Sequence, residues 1–327
     1  MDFKDFTAGH DDSGRRLDKV LRIFLSDTAL PQIYKLLRKG LIKVNHKKAK
    51  PEDRICEGDV ISIAAFLFDN HSDNNSSPKA QEPASPVSQK VLPFKIVFEN
   101  RHLIIIDKPY DRSVHGKEDG LYKDLLAYLE SSENKNTSLS FKPGPLHRLD
   151  RRTTGLLAFS KSIEGAHWFS QGIKEHTIQK KYYGLAQGEL KKAEDWKDKI
   201  ASAPPENTDG FYTVEENSEG QLAETIARPL AVGQLKDRKV TLVEFAIKTG
   251  RKHQIRIQSS LHKHPLVGDT AYGAEVLNGF SREFYLQAYS LNFPSDNPLG
   301  LPSEIKIELS SDFIKLLEYC EIKNPGL

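Results

Sequence analysis

Two short segments near the start of the chain space their apolar residues three and four positions apart, at residues 16–21 and 31–37. This spacing places apolar side chains on one face of a helix, so it predicts two amphipathic helices. Gly40 indicates the end of the second helix. Strand-like runs follow at residues 41–45 and 60–63, and the pattern therefore predicts a small module of helices and strands.

The remainder of the chain has more strand-like runs than helical ones. The predicted strands lie at residues 95–98, 103–107, 155–160, 182–187, 239–249 and 284–291. One helical segment lies between them, at residues 121–129. Because strands and helices do not alternate regularly, we expect a mixed α+β domain rather than a doubly wound α/β domain.

The clearest boundary lies at residues 69–90, where Asn, Ser, Pro, Gln and Ala replace periodic hydrophobic residues and no aromatic residue occurs. Such a segment buries too little apolar surface to offset the entropy of ordering, which predicts a flexible linker. The expected organisation is a small domain at residues 14–68, this linker, and a larger domain at residues 91–327.

Charge is distributed unevenly along the chain. Lys and Arg number 47 and Asp and Glu 45, for a net charge of +2, which argues against holding nucleic acid by bulk charge alone. Residues 15–50, however, contain 11 basic residues and only two acidic ones. A solvated helix face would explain each cation singly, but the cluster predicts phosphate contacts. The candidate RNA-binding residues of this module are Arg16, Arg38, Lys39 and Lys43.

Several classes of protein are disfavoured. No apolar stretch approaches the roughly 18 residues of a membrane-spanning helix, and the first residues lack the pattern of a secretory signal. The two cysteines, Cys56 and Cys320, are far apart, so we expect a reducing cytoplasm rather than a disulfide scaffold. His262 and His264 have no carboxylate or thiol nearby in sequence, and we predict no metal site.

One carboxylate, Asp150, stands among Arg148, Arg151 and Arg152, between a Pro-Gly turn and an apolar strand. Nearby cations favour the charged form, so Asp150 is expected to be ionised. On residue type alone, an aspartate in this position is more often a turn or capping residue than a nucleophile.

A second polar cluster, residues 248–257, follows a long predicted strand. If the strand continued, Gln254, Arg256 and Gln258 would share one face, and Arg251 and His253 the other. Such a face could present a guanidinium to a buried carboxylate or to phosphate, although a solvated basic edge strand has the same pattern.

Together these motifs resemble the RluA family of pseudouridine synthases across nearly the whole chain. The module at the start is similar to the small RNA-binding domain that ribosomal small-subunit proteins share with many of these synthases. The motifs that carry the resemblance are Lys108-Pro109, Val114-His115-Gly116, His147-Arg148-Leu149-Asp150, Thr153-Thr154-Gly155-Leu156-Leu157, Lys180-Lys181-Tyr182, Ala223-Glu224-Thr225, residues 249–256, residues 264–269 and Tyr272-Gly273.

The resemblance implies a catalytic domain with a mixed, mainly antiparallel sheet, in which Asp150 begins the reaction as nucleophile or base. It implies that Arg256 is the salt-bridge partner that keeps the pKa of Asp150 low. Tyr182 is expected to stack on the target base or to move a proton. The isomerisation requires no cofactor and no metal, and the chain has no phosphate-binding glycine loop or dinucleotide fingerprint.

A uracil must leave its stack to reach Asp150. Arg148 is expected either to fill the vacated space or to contact a phosphate, although it could simply balance the charge of Asp150. RNA contacts are also expected from His147, Arg251, His253 and Gln254. Departures from the family pattern are Thr154, where Ser is commoner, and Gln258 and Gln287, where His is often found.

Within the family, residues 31–63 and the stretch from Val114 to Gly120 are most similar to RluC-type enzymes, which modify uridines of bacterial large-subunit (23S) ribosomal RNA. Transfer-RNA and RluD-type enzymes share the catalytic motifs and remain alternatives. A non-catalytic ribosome-assembly protein and a nucleoside-hydrolysing enzyme are rivals of a different kind. The expected partner is RNA, with no membrane and with a monomeric enzyme.

Overall fold

A computed structural model of the chain describes residues 2–69, 92–115, 120–131, 138–202 and 214–322. It contains two compact units, and residues 70–90 of the predicted linker lie outside the described residues. The first unit comprises Met1–Leu92, Leu126–Pro143 and Lys161–Glu164. The second comprises Pro93–Leu125, Gly144–Ser160 and Gly165–Leu327. No helix in the described ranges is long and apolar enough to cross a membrane.

The first unit has a four-stranded antiparallel sheet with the strand order β1-β4-β2-β3. Its buried Asp12 carboxylate accepts hydrogen bonds from the backbone N–H groups of Leu139 and Ser140. The elements before the linker are β1 (Phe3–Thr7), a 3₁₀ turn (His10–Asp12), α1 (Leu17–Phe24), α2 (Leu30–Arg38), β2 (Ile42–Val44), β3 (Lys47–Lys48), β4 (Val60–Ala64) and α3 (Phe66–Asp69).

The two helices predicted for this unit are confirmed. In α1, Leu17, Val20 and Leu21 are fully buried, as their spacing of three and four requires. Helix α2 has a proline in its first turn, where the missing N–H has no helical partner to lose. Gly40 follows α2 with φ of 71°, a left-handed conformation that glycine adopts without a steric penalty.

The second unit is built on an 11-stranded sheet with the order β11-β10-β12-β13-β9-β14-β8-β6-β5, to which β15 adds at β14 and β7 at β8. Its elements, with α4 extending into the first unit, are β5 (Lys95–Glu99), β6 (Leu103–Lys108), α4 (Leu121–Ser131), β7 (Gly144–Pro145), β8 (Thr154–Ser160), α5 (Ile163–Lys174), β9 (Gln179–Gln187), β10 (Glu194–Ser202), β11 (Val214–Glu216), β12 (Gln221–Leu235), β13 (Arg238–Ile247), α6 (Gln254–Leu261), a 3₁₀ turn (Thr270–Tyr272), β14 (Leu286–Asn292), β15 (Glu304–Lys306) and α7 (Ser311–Tyr319).

The expected α+β class, with a mixed and mainly antiparallel sheet, is confirmed. Strands β8 and β14 pair in parallel, whereas the other pairings in the described part of the sheet are antiparallel. Every residue of β8 is buried, as expected for a strand in the middle of a covered sheet. Strands β10 and β12 were not predicted because their polar residues outnumber the buried apolar ones.

The prediction that the long strand continues through residues 254–258 is wrong. Strand β13 ends at Ile247, and α6 begins at Gln254 after His253, whose φ of 53° turns the chain. Gln254 and Gln258 therefore share a face as an i, i+4 pair, while Arg256 points to another side of the helix. A short run of alternating polar and apolar residues does not distinguish a strand from a buried helix, since α6 is buried on most sides.

Candidate active site

A pocket of about 300 Å³ opens in the second unit and brings the two sequence motifs together. The loop between β7 and β8 contributes Asp150, strand β9 contributes Tyr182, and the start of α6 contributes Arg256. The pocket lies at the lower end of the range of about 300–1,000 Å³ that is usual for ligand sites. Its volume is that of a site for a small group, and its lining combines apolar side chains with charged and polar ones.

Asp150 lies in the pocket with 17% of its side chain exposed. Its backbone carbonyl accepts a hydrogen bond from the Thr153 N–H, which tightens the turn into β8. Burial raises the pKa of Asp150, while Arg256, Arg148, Lys252 and Lys108 act in the opposite direction. The sequence predicted that the nearby cations would keep the pKa of Asp150 low. The structure corrects this prediction, because the loss of hydration raises the pKa by more than the cations lower it.

The guanidinium of Arg256 binds Asp269 rather than Asp150, which corrects the predicted salt bridge. Its Nε and one terminal nitrogen donate to the two carboxylate oxygens of Asp269, both at 2.7 Å. Although burial acts against its charge, Asp269 raises the pKa of Arg256 overall. Arg256 therefore acts on Asp150 through its positive charge, without a direct hydrogen bond.

His253 lies between Asp150 and Tyr272. The Tyr272 hydroxyl accepts the Val214 N–H at 3.0 Å and lies 2.7 Å from Nδ1 of His253, so its own proton is available to donate to that nitrogen. Burial, with help from Arg256 and Lys252, lowers the pKa of His253 to about 3. The neutral ring then has its hydrogen on Nε2, which lies 3.8 Å from an Asp150 oxygen.

Strand β9 presents two polar side chains to the same pocket. Tyr182, 5% exposed, lines the pocket, and burial together with the charge of Asp150 raises its pKa, so the hydroxyl stays protonated at neutral pH. Lys180 also lines the pocket and is 6% exposed. Residues two apart on a strand face the same side, so Lys180 and Tyr182 are neighbours on this face.

His147 and Gln254 were expected to contact RNA, but the Gln254 amide and one ring nitrogen of His147 are engaged within the protein, while the buried Nδ1 of His147 has no partner among the described residues. His147 accepts the Ala158 N–H at Nε2 and stacks on Phe169, and burial lowers its pKa to about 3. The Gln254 oxygen accepts from Thr249 and Arg251, and its amide nitrogen donates to Glu224 and Thr225. Both residues shape the pocket, a role that motif position alone does not reveal.

Other predicted RNA-binding residues are more accessible. Arg148 and Arg251 are exposed and line the pocket, with Nε of Arg251 donating to the Leu222 carbonyl. In the first unit, Arg38 and Lys39 are exposed at the end of α2. Arg16, by contrast, donates to both oxygens of Asp18, and the Lys43 ammonium lies 4.5 Å from the centre of the Phe3 ring. Arg38 and Lys39 are therefore the more available cations of these four.

Three residues that shape the site lie in motifs quoted above, but sequence reasoning assigned them no role in it. Asp269 forms the ion pair with Arg256, and no helical or strand periodicity links two residues that are 13 positions apart. The fully buried Lys108 donates to the carbonyls of Pro109, Arg112 and Arg151, which fixes the chain next to Asp150. The sequence did indicate Lys180, because it precedes Tyr182 by two positions and residues two apart on a strand face the same side.

The described ranges contain no group of three or more His, Cys, Asp or Glu side chains able to hold a metal ion. His262, one of the two histidines considered in the sequence, instead contacts Asp198 and stacks on Trp196. His264 lies against the backbone carbonyl of Gln187.

Known proteins match both parts of the chain. Residues 102–261 match the family model described as RNA pseudouridylate synthase, and residues 15–61 match the S4 domain. The ribosomal large subunit pseudouridine synthase C of Vibrio cholerae serotype O1 is 30% identical over 312 residues, which covers 94% of this chain and 92% of the relative. The protein of the same name from Escherichia coli K12 is 30% identical over 298 residues, 86% of each chain.

Among solved structures, human RNA pseudouridylate synthase domain containing 4 aligns with a TM-score of 0.55 at 22% identity. The alignment covers 69% of this chain and 93% of the human chain, and it shows a shared fold. The matched synthase domain, preceded by an S4 domain, places the chain among RNA-modifying enzymes. The chain belongs to the RluA family of RNA pseudouridylate synthases, which are isomerases that act on RNA.

Proposed function

We propose that this enzyme converts specific uridines of large-subunit ribosomal RNA to pseudouridine, with Asp150 as the catalytic residue. The observation that carries the proposal is the pocket itself, in which one carboxylate lies beside Tyr182 and among cations. The names of the relatives support ribosomal RNA as the substrate. Both are ribosomal large subunit pseudouridine synthases, and the alignments cover most of their length.

The geometry suits a uracil that has left its stack. Extruding a base costs a few kcal/mol and brings it into a pocket of about 300 Å³. There Asp150 starts the reaction, and the ring of Tyr182 packs against the base. Arg148, exposed at the rim, fills the vacated space in the RNA. Arg256, bound to Asp269, keeps a positive charge near Asp150 without occupying its oxygens.

A hydrolytic nucleosidase is disfavoured by the same pocket. Enzymes that hydrolyse glycosidic bonds usually use a pair of carboxylates, whereas Asp150 is the one acidic side chain among the described residues that line this pocket.

We infer further that the enzyme works as a monomer in the cytoplasm. Cys56 and Cys320, both free, are compatible with a reducing compartment.

The test is tritium release from large-subunit rRNA labelled at C5 of uridine, with chelator present and no cofactor added. Isomerisation releases tritium to water without free uracil. Asp150→Asn is expected to bind the RNA as the wild type does and to lose about 10⁴-fold or more of the turnover. Asp111→Asn is the matched control, because Asp111 is half exposed and pairs with Arg151.

Each alternative has its own outcome in this assay. Free uracil would indicate hydrolysis, and binding without tritium release would indicate a non-catalytic RNA-binding protein. Wild-type turnover in Asp150→Asn would remove Asp150 from the catalytic role. Mapping pseudouridines in the ribosomal and transfer RNAs of a strain that lacks the gene identifies the target, and a loss confined to transfer RNA would contradict the rRNA assignment.

A further inference from the structure

The side chain of Lys180 lines the pocket, and its ammonium group has no partner among the described residues. Lys180 is 6% exposed, and its side chain lines the same cavity as Asp150. Within the described part of the chain, its Nζ makes no hydrogen bond and no ion pair, yet it is not sealed from the cavity. Burial lowers the pKa of Lys180 to about 8, so the group remains mostly charged at neutral pH.

A buried ammonium group without an acceptor costs free energy unless a bound group accepts its hydrogen bonds. An ammonium removed from water normally requires acceptors or a counter-charge. The other buried lysine of the site, Lys108, meets this requirement with three backbone carbonyls. Lys180 has none among the described residues, so its acceptor is expected to come from the substrate.

Two features direct this ammonium toward the base-binding part of the pocket. Lys180 and Tyr182 project from the same side of β9, and Tyr182 lines the cavity. At Gly250, a Cβ atom would lie 3.1 Å from Nζ of Lys180, so the absence of a side chain there leaves space around the ammonium. His147 also lines this region, and its low pKa leaves it uncharged.

A phosphate is a less suitable partner than the base. The exposed cations Arg148 and Arg251 lie at the rim, where the RNA backbone can reach them. Lys180 is buried in a cavity of about 300 Å³, which a single extruded base can enter. The acceptors that uracil offers there are its two exocyclic oxygens.

We propose that Lys180 is a further catalytic residue, whose ammonium donates a hydrogen bond to an exocyclic oxygen of the target uracil and stabilises negative charge on that oxygen during isomerisation. This rests on the proposed function. If an Asp150 oxygen bonds to C1′, the C1′–N1 bond breaks and its electron pair is delocalised from N1 onto O2 and O4. If Asp150 instead adds to C6, the π electrons of the C5–C6 bond move to C5 and O4. Either route places charge on O4 and consumes no oxidant or reductant.

The test measures single-turnover tritium release at saturating large-subunit rRNA transcript labelled at C5 of uridine, together with the Kd for that RNA. Lys180→Met is expected to lower the rate constant about 100-fold or more, with Kd changed less than about threefold. Lys180→Gln retains a donor without the charge, and its rate is expected to fall between those of Lys180→Met and the wild type.

Lys181→Met is the matched control. Lys181 adjoins Lys180 on β9 but faces the opposite side, with its Nζ 4.0 Å from a Glu244 oxygen. Its rate constant is expected to match the wild type, and thermal unfolding of all variants establishes that they are folded.

The outcomes separate this proposal from the proposed function. Wild-type rate constants in both Lys180 variants would overturn the role of Lys180 alone. A weaker Kd with a shallower salt dependence, at an unchanged saturating rate constant, would assign Nζ to a phosphate and also overturn it. If neither the wild type nor Lys181→Met released tritium, the proposed function itself would fail, and the role of Lys180 with it.

Discussion

The charged side chains of the site differ in whether the protein gives them hydrogen-bond partners. Arg256 donates from Nε and one terminal nitrogen to the two oxygens of Asp269, and Lys108 is held by three backbone carbonyls. Asp150 and Lys180 have no such hydrogen bonds to the described residues, and the His253 ring beside Asp150 is neutral. The pocket therefore leaves Asp150, Lys180 and the exposed Arg148 to face a substrate.

The raised pKa of Asp150 has a consequence for the pH dependence of the reaction. Asp150 acts as a carboxylate, and the fraction ionised decreases as pH falls through its pKa. Because burial raises that pKa above the ordinary value of 3.8, we expect the acid limb of the single-turnover rate to lie above pH 3.8. Rates measured from pH 4 to pH 8 at saturating RNA locate this limb.

Replacing Lys252 tests whether the acid limb of the rate reports the ionisation of Asp150. Lys252 lowers the pKa of Asp150, so Lys252→Met is expected to move the acid limb to higher pH. Lys263→Met, an exposed lysine after α6, is the control and is expected to leave the limb in place. A limb that did not respond to Lys252→Met would belong to another group. His253 does not contribute near neutrality, since its pKa is about 3.

At the level of elements, the parallel pairing of β8 with β14 fixes the position of the catalytic loop. Gly155, at the start of β8, has φ of 107° and lies against the backbone of Ala288. A Cβ atom at this position would be 2.1 Å from the Ala288 carbonyl oxygen. Only glycine permits this approach, and Asp150 lies five residues earlier on the loop that leads into it.

Gly155→Ala is expected to lower the free energy of unfolding by about 3 kcal/mol, because the two strands must separate to admit the methyl group. Urea unfolding followed by circular dichroism measures the change. The control is Gly144→Ala, in which a Cβ atom would meet nothing within 4 Å and the backbone is not left-handed. Equal stability of the two variants would show that β8 and β14 can shift apart without cost.

At the level of the whole molecule, the net charge of +2 is the sum of two unlike parts. Residues 15–50 carry 11 basic and two acidic residues, and the rest of the chain has an acidic excess. The first unit thus offers exposed cations such as Arg38 and Lys39, and its S4 domain matches an RNA-binding role. A nearly neutral total limits nonspecific binding to nucleic acid while leaving a basic surface for RNA.

Replacing Arg38, Lys39 and Lys43 by glutamine is expected to reduce the slope of log K against log salt for rRNA binding by about 2, since each lost phosphate contact removes about 0.7–0.9. The control replaces the exposed Lys191, Lys192 and Lys315 by glutamine, which changes the net charge equally in the second unit. Binding titrations at several salt concentrations give both slopes. Identical decreases would mean that the slope follows net charge rather than contacts of the basic module.

Local sequence patterns were enough to predict the class of fold, the two helices of the first unit, most strands around the pocket and the aspartate that lines it. These depend on local spacing of apolar residues and on motifs within short stretches, such as residues 147–150 and 249–256. The same local information was insufficient at residues 254–258, where alternation indicated a strand and the chain forms α6.

The partners of the charged groups became known from the three-dimensional packing. Arg256 pairs with Asp269, burial raises the pKa of Asp150, and Lys180 lines the cavity with no acceptor among the described residues. Each result depends on which distant strands and helices meet, and on how much water they exclude. Ion pairing and desolvation are set by three-dimensional proximity, which the spacing of residues along a chain does not specify.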